Sequence, residues 1–181
     1  MTTIAKISVL SASLALIFLG KAFAQAPARA YAELKDADGK SIGMAIFREV
    51  PGGVLLNLEA KGLSSGLHAI HIHAVGQCVG PGFTSAGGHF NPTQKKHGLK
   101  NPEGPHAGDL PNLYVTKEGI SRYAVLADGF TLKAGGNALL DSDGSALVIH
   151  ASVDDYSTDP TGNAGDRSAC GVVTAGQPKK K

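Results

Sequence analysis

Seven histidines occur in the 181 residues, and all lie between positions 68 and 150: His68, His71, His73, His89, His97, His106 and His150. Imidazole is a common metal ligand, and this clustering points to metal chemistry rather than to isolated core or surface histidines. His71 and His73 stand two apart, so on a strand their rings leave the same face and could share one ion. His68 has the opposite parity and reads as an interior residue hydrogen-bonded to backbone. His106-Ala-Gly-Asp109 sets an imidazole and a carboxylate three positions apart. With His89 and His97 it offers three nitrogens and one oxygen, the donor set of a closed tetrahedral zinc site. His150 ends the apolar run Ala146-Leu147-Val148-Ile149; beside His71 and His73 it becomes a candidate third ligand for a second ion.

These side chains must be held by strands and loops. Ala30–Leu34, Ser41–Val50, Gly53–Ala60, Leu67–His73, Leu113–Thr116, Ser121–Ala127, Ala138–Leu140, Ala146–Ala151 and Cys170–Thr174 read as short strands, several with period-two alternation. Turn signals separate them: Asp36–Lys40, Pro51-Gly52-Gly53, Lys117–Gly119, Asp128-Gly129 and Asp141–Gly144. Two irregular stretches break the rhythm, Gly76–Asn112 and Asp154–Asp166. Long loops in a compact domain are functional or disordered, and ligation can order such a loop in place of packing.

Composition agrees with a small all-β domain. The chain is 43% hydrophobic and 18% charged, too apolar for disorder, and its 24 glycines suit many turns better than helices. The formal charge of +2 is not a nucleic-acid signal. Six N-terminal residues with one Lys precede Ile7–Gly20, an apolar run too short to span a bilayer, and Ala22-Phe23-Ala24 follows. Residues 1–24 therefore read as a signal peptide cleaved after Ala24, with no stable membrane insertion afterwards. Removing Lys6 and Lys21 from the 17 basic residues leaves 15, equal to the 15 acidic ones. Three of those 15 are the terminal Lys179–Lys181, so the body is net negative and nucleic-acid binding has little support. The mature domain is expected over residues 25–174, with 175–181 a disordered basic tail. In an exported protein the two cysteines, Cys78 and Cys170, read as one disulfide.

Taken together, Gly66-Leu-His-Ala-Ile-His-Ile-His73, Ser85-Ala-Gly-Gly-His-Phe-Asn-Pro92, Lys96-His-Gly98, His106-Ala-Gly-Asp-Leu110, Val148-Ile-His150 and Gly162-Asn-Ala-Gly-Asp-Arg-Ser-Ala-Cys-Gly-Val172 resemble copper/zinc superoxide dismutase in its exported bacterial, periplasmic form. The resemblance runs in order from about residue 29 to 174. It implies an eight-stranded Greek-key β-barrel or sandwich with two long functional loops, and dismutation of superoxide with copper and zinc as cofactors. By the same resemblance His71, His73, His89 and His150 bind copper, while His89, His97, His106 and Asp109 bind zinc. His89 is then the bridge and, with Arg167, the catalytic pair. Asp154 orients His71 and His97 through their outer ring nitrogens, and Cys78–Cys170 is the family disulfide. The loop from His150 to Arg167 is compact and carries few basic residues, which leaves Lys95 and Lys96 as further candidates to steer the anion. Oligomer contacts differ between bacterial subgroups, and a homodimer is compatible with the resemblance.

Overall fold

The structure, a computed structural model, describes residues 28–179; the expected signal peptide lies outside the described residues. Ten strands follow in order: β1 Arg29–Asp36, β2 Ser41–Val50, β3 Gly53–Lys61, β4 Gly66–His68, β5 Ile70–His73, β6 Leu113–Val115, β7 Ile120–Ala127, β8 Ala146–His150, β9 Arg167–Val172 and β10 Thr174–Ala175. One sheet has the order β5-β8-β9-β1-β2-β3-β7, with β10 also on β1, and β4 pairs with β6 in a second sheet. All the pairings are antiparallel. Ala69 alone separates β4 from β5, and Val173 alone separates β9 from β10. Counted as interrupted single strands, these give the eight strands of a Greek-key barrel.

Alternation sets which side of each ribbon is buried. In β3, Val54, Leu56, Leu58 and Ala60 face inward while their neighbours are partly or fully exposed. In β1, Ala30, Ala32 and Leu34 do the same. These side chains and Phe47, Ile70, Ile72, Leu147 and Ile149 form the barrel core. At about 25 cal/mol per Å² of apolar surface, this burial is the main term favouring the fold.

The strands β5 and β8 are buried throughout. Their inner faces supply Ile70, Ile72, Leu147 and Ile149 to the core. Their outer faces are covered by the two long loops, and a second apolar cluster of Phe83, Ala86, Ala146, Val148 and Cys170 forms there. The Cys78–Cys170 disulfide ties this cover to β9 across 92 positions.

Four readings change. Leu67–His73 is not one continuous strand: Ala69 donates its N–H to Ser152 and accepts from His150, so its backbone bonds leave the β4 ladder. Ala138–Leu140 is not a strand either. Ala138 makes only an isolated bridge to Thr131, because the neighbouring Gly135 and Asn137 bonds are those of a turn. Strand pairing also continues through Ala175, opposite Ala30. The strand expected at Cys170–Thr174 begins earlier, at Arg167, as β9.

Candidate metal centre

One edge of β5 pairs with β8; its other edge is taken by the long loop. Ile72 donates to the Gly108 carbonyl at 2.9 Å, Phe90 donates to Ile72 at 2.8 Å, and Gly108 donates to Phe90 at 2.8 Å. Isolated bridges set His71 against Asp109 and His73 against His89. A side chain on Gly108 would meet the Ile72 carbonyl, so glycine permits this approach. Residues separated by up to 38 positions are thereby laid side by side on the outer face of β5.

His71 and His73 come from β5 and His150 from the end of β8. The His89 ring lies among them, with centroids 4.1 Å from His71, 5.1 Å from His73 and 6.2 Å from His150. It is equally close to the second group, 5.1 Å from His97 and 5.3 Å from His106.

Outer hydrogen bonds fix which nitrogen of each ring is left to face inward. His71 Nε2 donates to Asp154 Oδ2 at 2.7 Å, His73 Nδ1 to the Gly87 carbonyl at 2.9 Å, and His150 Nδ1 to the Gly165 carbonyl at 3.2 Å. His97 Nε2 donates to Asp154 Oδ1 at 3.0 Å. In a neutral ring the opposite nitrogen then carries a lone pair. Inside, His71 Nδ1 and His89 Nε2 are buried with no hydrogen-bond partner. His73 Nε2 and His150 Nε2 face each other at 3.4 Å. One donor atom from each of His71, His73, His89 and His150 lies within 4.8 Å of the others. Leaving such groups unsatisfied costs roughly 1–3 kcal/mol each, and a cation among them removes that cost. The four imidazoles suit copper.

The second group converges on one oxygen. Asp109 Oδ1 lies 3.0 Å from His89 Nδ1, 3.0 Å from His97 Nδ1 and 3.4 Å from His106 Nδ1. His106 Nδ1 is 3.3 Å from His89 Nδ1. Three nitrogens and one carboxylate oxygen suit zinc. Asp109 Oδ2 accepts the main-chain N–H groups of Gly98 and His106, which aims the other oxygen inward. His71 also has a donor atom within 4.8 Å of those of His89, His97 and Asp109, so the two groups touch at their boundary.

Protonation follows burial and partners. Burial pushes His73 down to about 2, His150 to about 3 and His89 to about 4, so these rings are neutral at pH 7. Burial opposes the charge on His97 as well, but Asp109 and Asp154 outweigh it and hold it up at about 9. Burial would raise Asp109; its three histidine contacts instead hold it well below the carboxylate range. Asp154 is lowered by His71 and His97 against the same burial effect.

Beside the rings opens a cleft of about 290 Å³, lined in part by His73, His89, His150 and Arg167. Arg167 donates to the Phe83 and Gly87 carbonyls, both at 2.6 Å, and forms no ion pair with Asp155 or Asp166. Asp155 is exposed and bonded within its own loop. Lys95 and Lys96 are exposed and do not line the cleft. His68 lies off the centre, bonded to the carbonyls of His150 and Ser64, both at 2.8 Å.

His71, His73, His89, His97, His106, Asp109, His150, Asp154 and Arg167 are thus found at or beside this centre, whereas Lys95 and Lys96 are not. Asn112 is one that the sequence reading missed: its side chain donates to the Asp154 carbonyl at 2.9 Å and accepts the Asp154 N–H at 2.9 Å, fixing the main chain that carries that carboxylate. Gly162 and Asp159 are others. A Cβ on Gly162 would strike Asp154 and His97. No local pattern marks Asn112; it ends a polar loop and resembles any turn residue.

Residues 41–173 match the family model described as copper/zinc superoxide dismutase. The chain is 52% identical over 160 residues to superoxide dismutase [Cu-Zn] 2 of Aquifex aeolicus, covering 87% of this chain and 93% of that one. It is 46% identical over 147 residues to superoxide dismutase [Cu-Zn] of Caulobacter vibrioides, covering 80% of this chain and 84% of the relative. Among solved structures, a double mutant of a superoxide dismutase-like protein from Bacillus subtilis superposes with a TM-score of 0.77 at 43% identity, over 78% of this chain and 95% of that one.

Proposed function

The chain belongs to the copper/zinc superoxide dismutase family, and from that premise we propose that it converts two superoxide ions and two protons into oxygen and hydrogen peroxide. In this reading His71, His73, His89 and His150 hold copper, His89, His97, His106 and Asp109 hold zinc, and His89 is shared. Copper supplies the one-electron redox cycling that the reaction needs and zinc lacks.

The observation that carries the reading is the two-sided setting of His89. Its Nε2 is buried and unpartnered, while its Nδ1 meets Asp109 Oδ1 at 3.0 Å. Peroxide formation consumes protons, and His89 Nε2 is the ring atom placed to take up and release one beside the cleft. The Asp109 side keeps the ring in place when Nε2 changes state. Arg167 gives the cleft a permanent positive charge for a small anion, and its two carbonyl anchors keep the guanidinium from folding away. Asp154 restrains a ring of each group, so both donor sets keep one geometry.

Export to the periplasm, with cleavage after Ala24 and a mature domain over 25–174, belongs to the same proposal. It is supported by the Cys78–Cys170 disulfide, a bond favoured in oxidising compartments. Among the described residues no helix is long and apolar enough to cross a membrane.

The test is metal analysis of the purified protein joined to a superoxide-consumption assay, with His89→Ala as the paired variant. One copper and one zinc per chain, with consumption lost in the variant, is the expected result. Protein that carries both metals yet consumes no superoxide above buffer would defeat the proposal.

A further inference from the structure

The loop Asp154–Asp166 brings two carboxylates to the metal-binding loop, and the reading above uses only Asp154. Asp159 approaches from another side. Its Oδ1 accepts the main-chain N–H of His97 at 2.6 Å and stands 3.9 Å from His106 Nε2.

The outer nitrogens of His71 and His97 are held by Asp154, that of His73 by Gly87, and that of His150 by Gly165. His106 turns Nδ1 inward toward Asp109 and His89, which leaves Nε2 to carry the ring proton outward. The carboxylate it faces there is Asp159. A cation on Nδ1 draws electron density from the ring and makes Nε2–H a stronger donor, so the 3.9 Å gap is one that ligation favours closing.

We propose that Asp159 is a positioning residue for zinc, holding His97 through its backbone and His106 through its ring. The inference rests on the reading that His89, His97, His106 and Asp109 hold that ion. Asp159 belongs to the loop that carries Asp154, so zinc binding would draw this loop onto the metal-binding loop at two points. The Asp159 side chain is 39% exposed, so a change that keeps its bond to the His97 N–H costs the metal-free fold little.

Full-length mature protein is loaded with one equivalent of copper, and zinc is then titrated against a chromophoric chelator at pH 7. Asp159→Asn keeps an oxygen for the His97 N–H but removes the charge facing His106; Asp159→Ala removes both. The expected result is a zinc affinity about 10- to 100-fold weaker for Asp159→Ala, a smaller loss for Asp159→Asn, and copper affinity within about twofold of the parent. The thermal midpoint of the metal-free protein should be unchanged in Asp159→Asn and lowered in Asp159→Ala, which leaves the His97 N–H without its acceptor. Zinc affinity within twofold of the parent in both variants would overturn the proposal, as would equal weakening of copper and zinc. A parent that takes up no zinc would instead overturn the assignment of the zinc ligands themselves.

Discussion

Arg167 donates through Nη2 to the Gly87 carbonyl at 2.6 Å, and the same oxygen accepts from His73 Nδ1 at 2.9 Å. One backbone atom therefore sets both the charge at the cleft and the orientation of a proposed copper ligand. The register between them depends on the loop segment near Gly87, which the Cys78–Cys170 disulfide fastens to β9.

Arg167→Ala should lower kcat/KM for superoxide about tenfold at low ionic strength, where exposed charges act over a Debye length of about 30 Å. Metal content should stay the same. Arg167→Lys should recover part of the rate only, since an ammonium cannot span both carbonyls as the guanidinium fork does. Rates measured from low to high salt check this; an unaltered salt dependence in Arg167→Ala would remove the electrostatic role.

Gly162 has φ +64, and a Cβ there would strike Asp154 Oδ1 and lie 2.6 Å from His97 Nε2. Gly162→Ala should therefore break the Asp154–His97 hydrogen bond and cost about 1–2 kcal/mol for the left-handed backbone alone. Zinc should be lost to a chelator at least tenfold faster than from the parent. Stopped-flow chelation and a urea titration measure the two effects separately.

The disulfide closes a loop with a sequence separation of 92. In the chain-entropy description, removing it costs about 4–5 kcal/mol. Replacing both cysteines by serine should shift the denaturant midpoint accordingly at fixed metal content. A change below about 1 kcal/mol would mean that the second apolar cluster holds the loop without the bond.

Metal-free protein should be most stable near neutral pH. His73, His89 and His150 are held at about 2, 4 and 3 in the fold, against 6.5 when unfolded, so the unfolded chain binds more protons as pH falls below 6.5. Their burial therefore makes stability decline toward acid. His97 is raised to about 9, so its stabilising contribution is complete below 6.5 and is lost as pH rises through 9. Zinc should abolish the alkaline decline, because a ligated His97 Nδ1 has no proton to lose. Thermal midpoints at pH 5, 7 and 9, with and without zinc, check both arms.

Much of this centre is legible in residue types and spacing. Alternation in β1 and β3 gives the inward faces, and the two-residue step from His71 to His73 places both rings on the outer face of β5. His106 and Asp109 are close in sequence, so one turn joins them. Asp154 and Arg167 come from the resemblance, not from local spacing. The Ala138–Leu140 segment shows the weakness of short apolar runs: their composition fits a strand, but a partner edge is required and none forms there beyond one bridge.

The chain alone determines an all-β domain with a metal-binding set of histidines, because strand period and imidazole chemistry are properties of neighbouring residues. Only closure of the barrel decides that His89 stands between two donor groups and that Gly87 serves both Arg167 and His73. The same closure brings Asn112 to Asp154 and Asp159 to His106. Those contacts join backbone atoms and polar loop residues 14 to 80 positions apart, and a carbonyl oxygen has no side-chain identity by which its role could be read in advance.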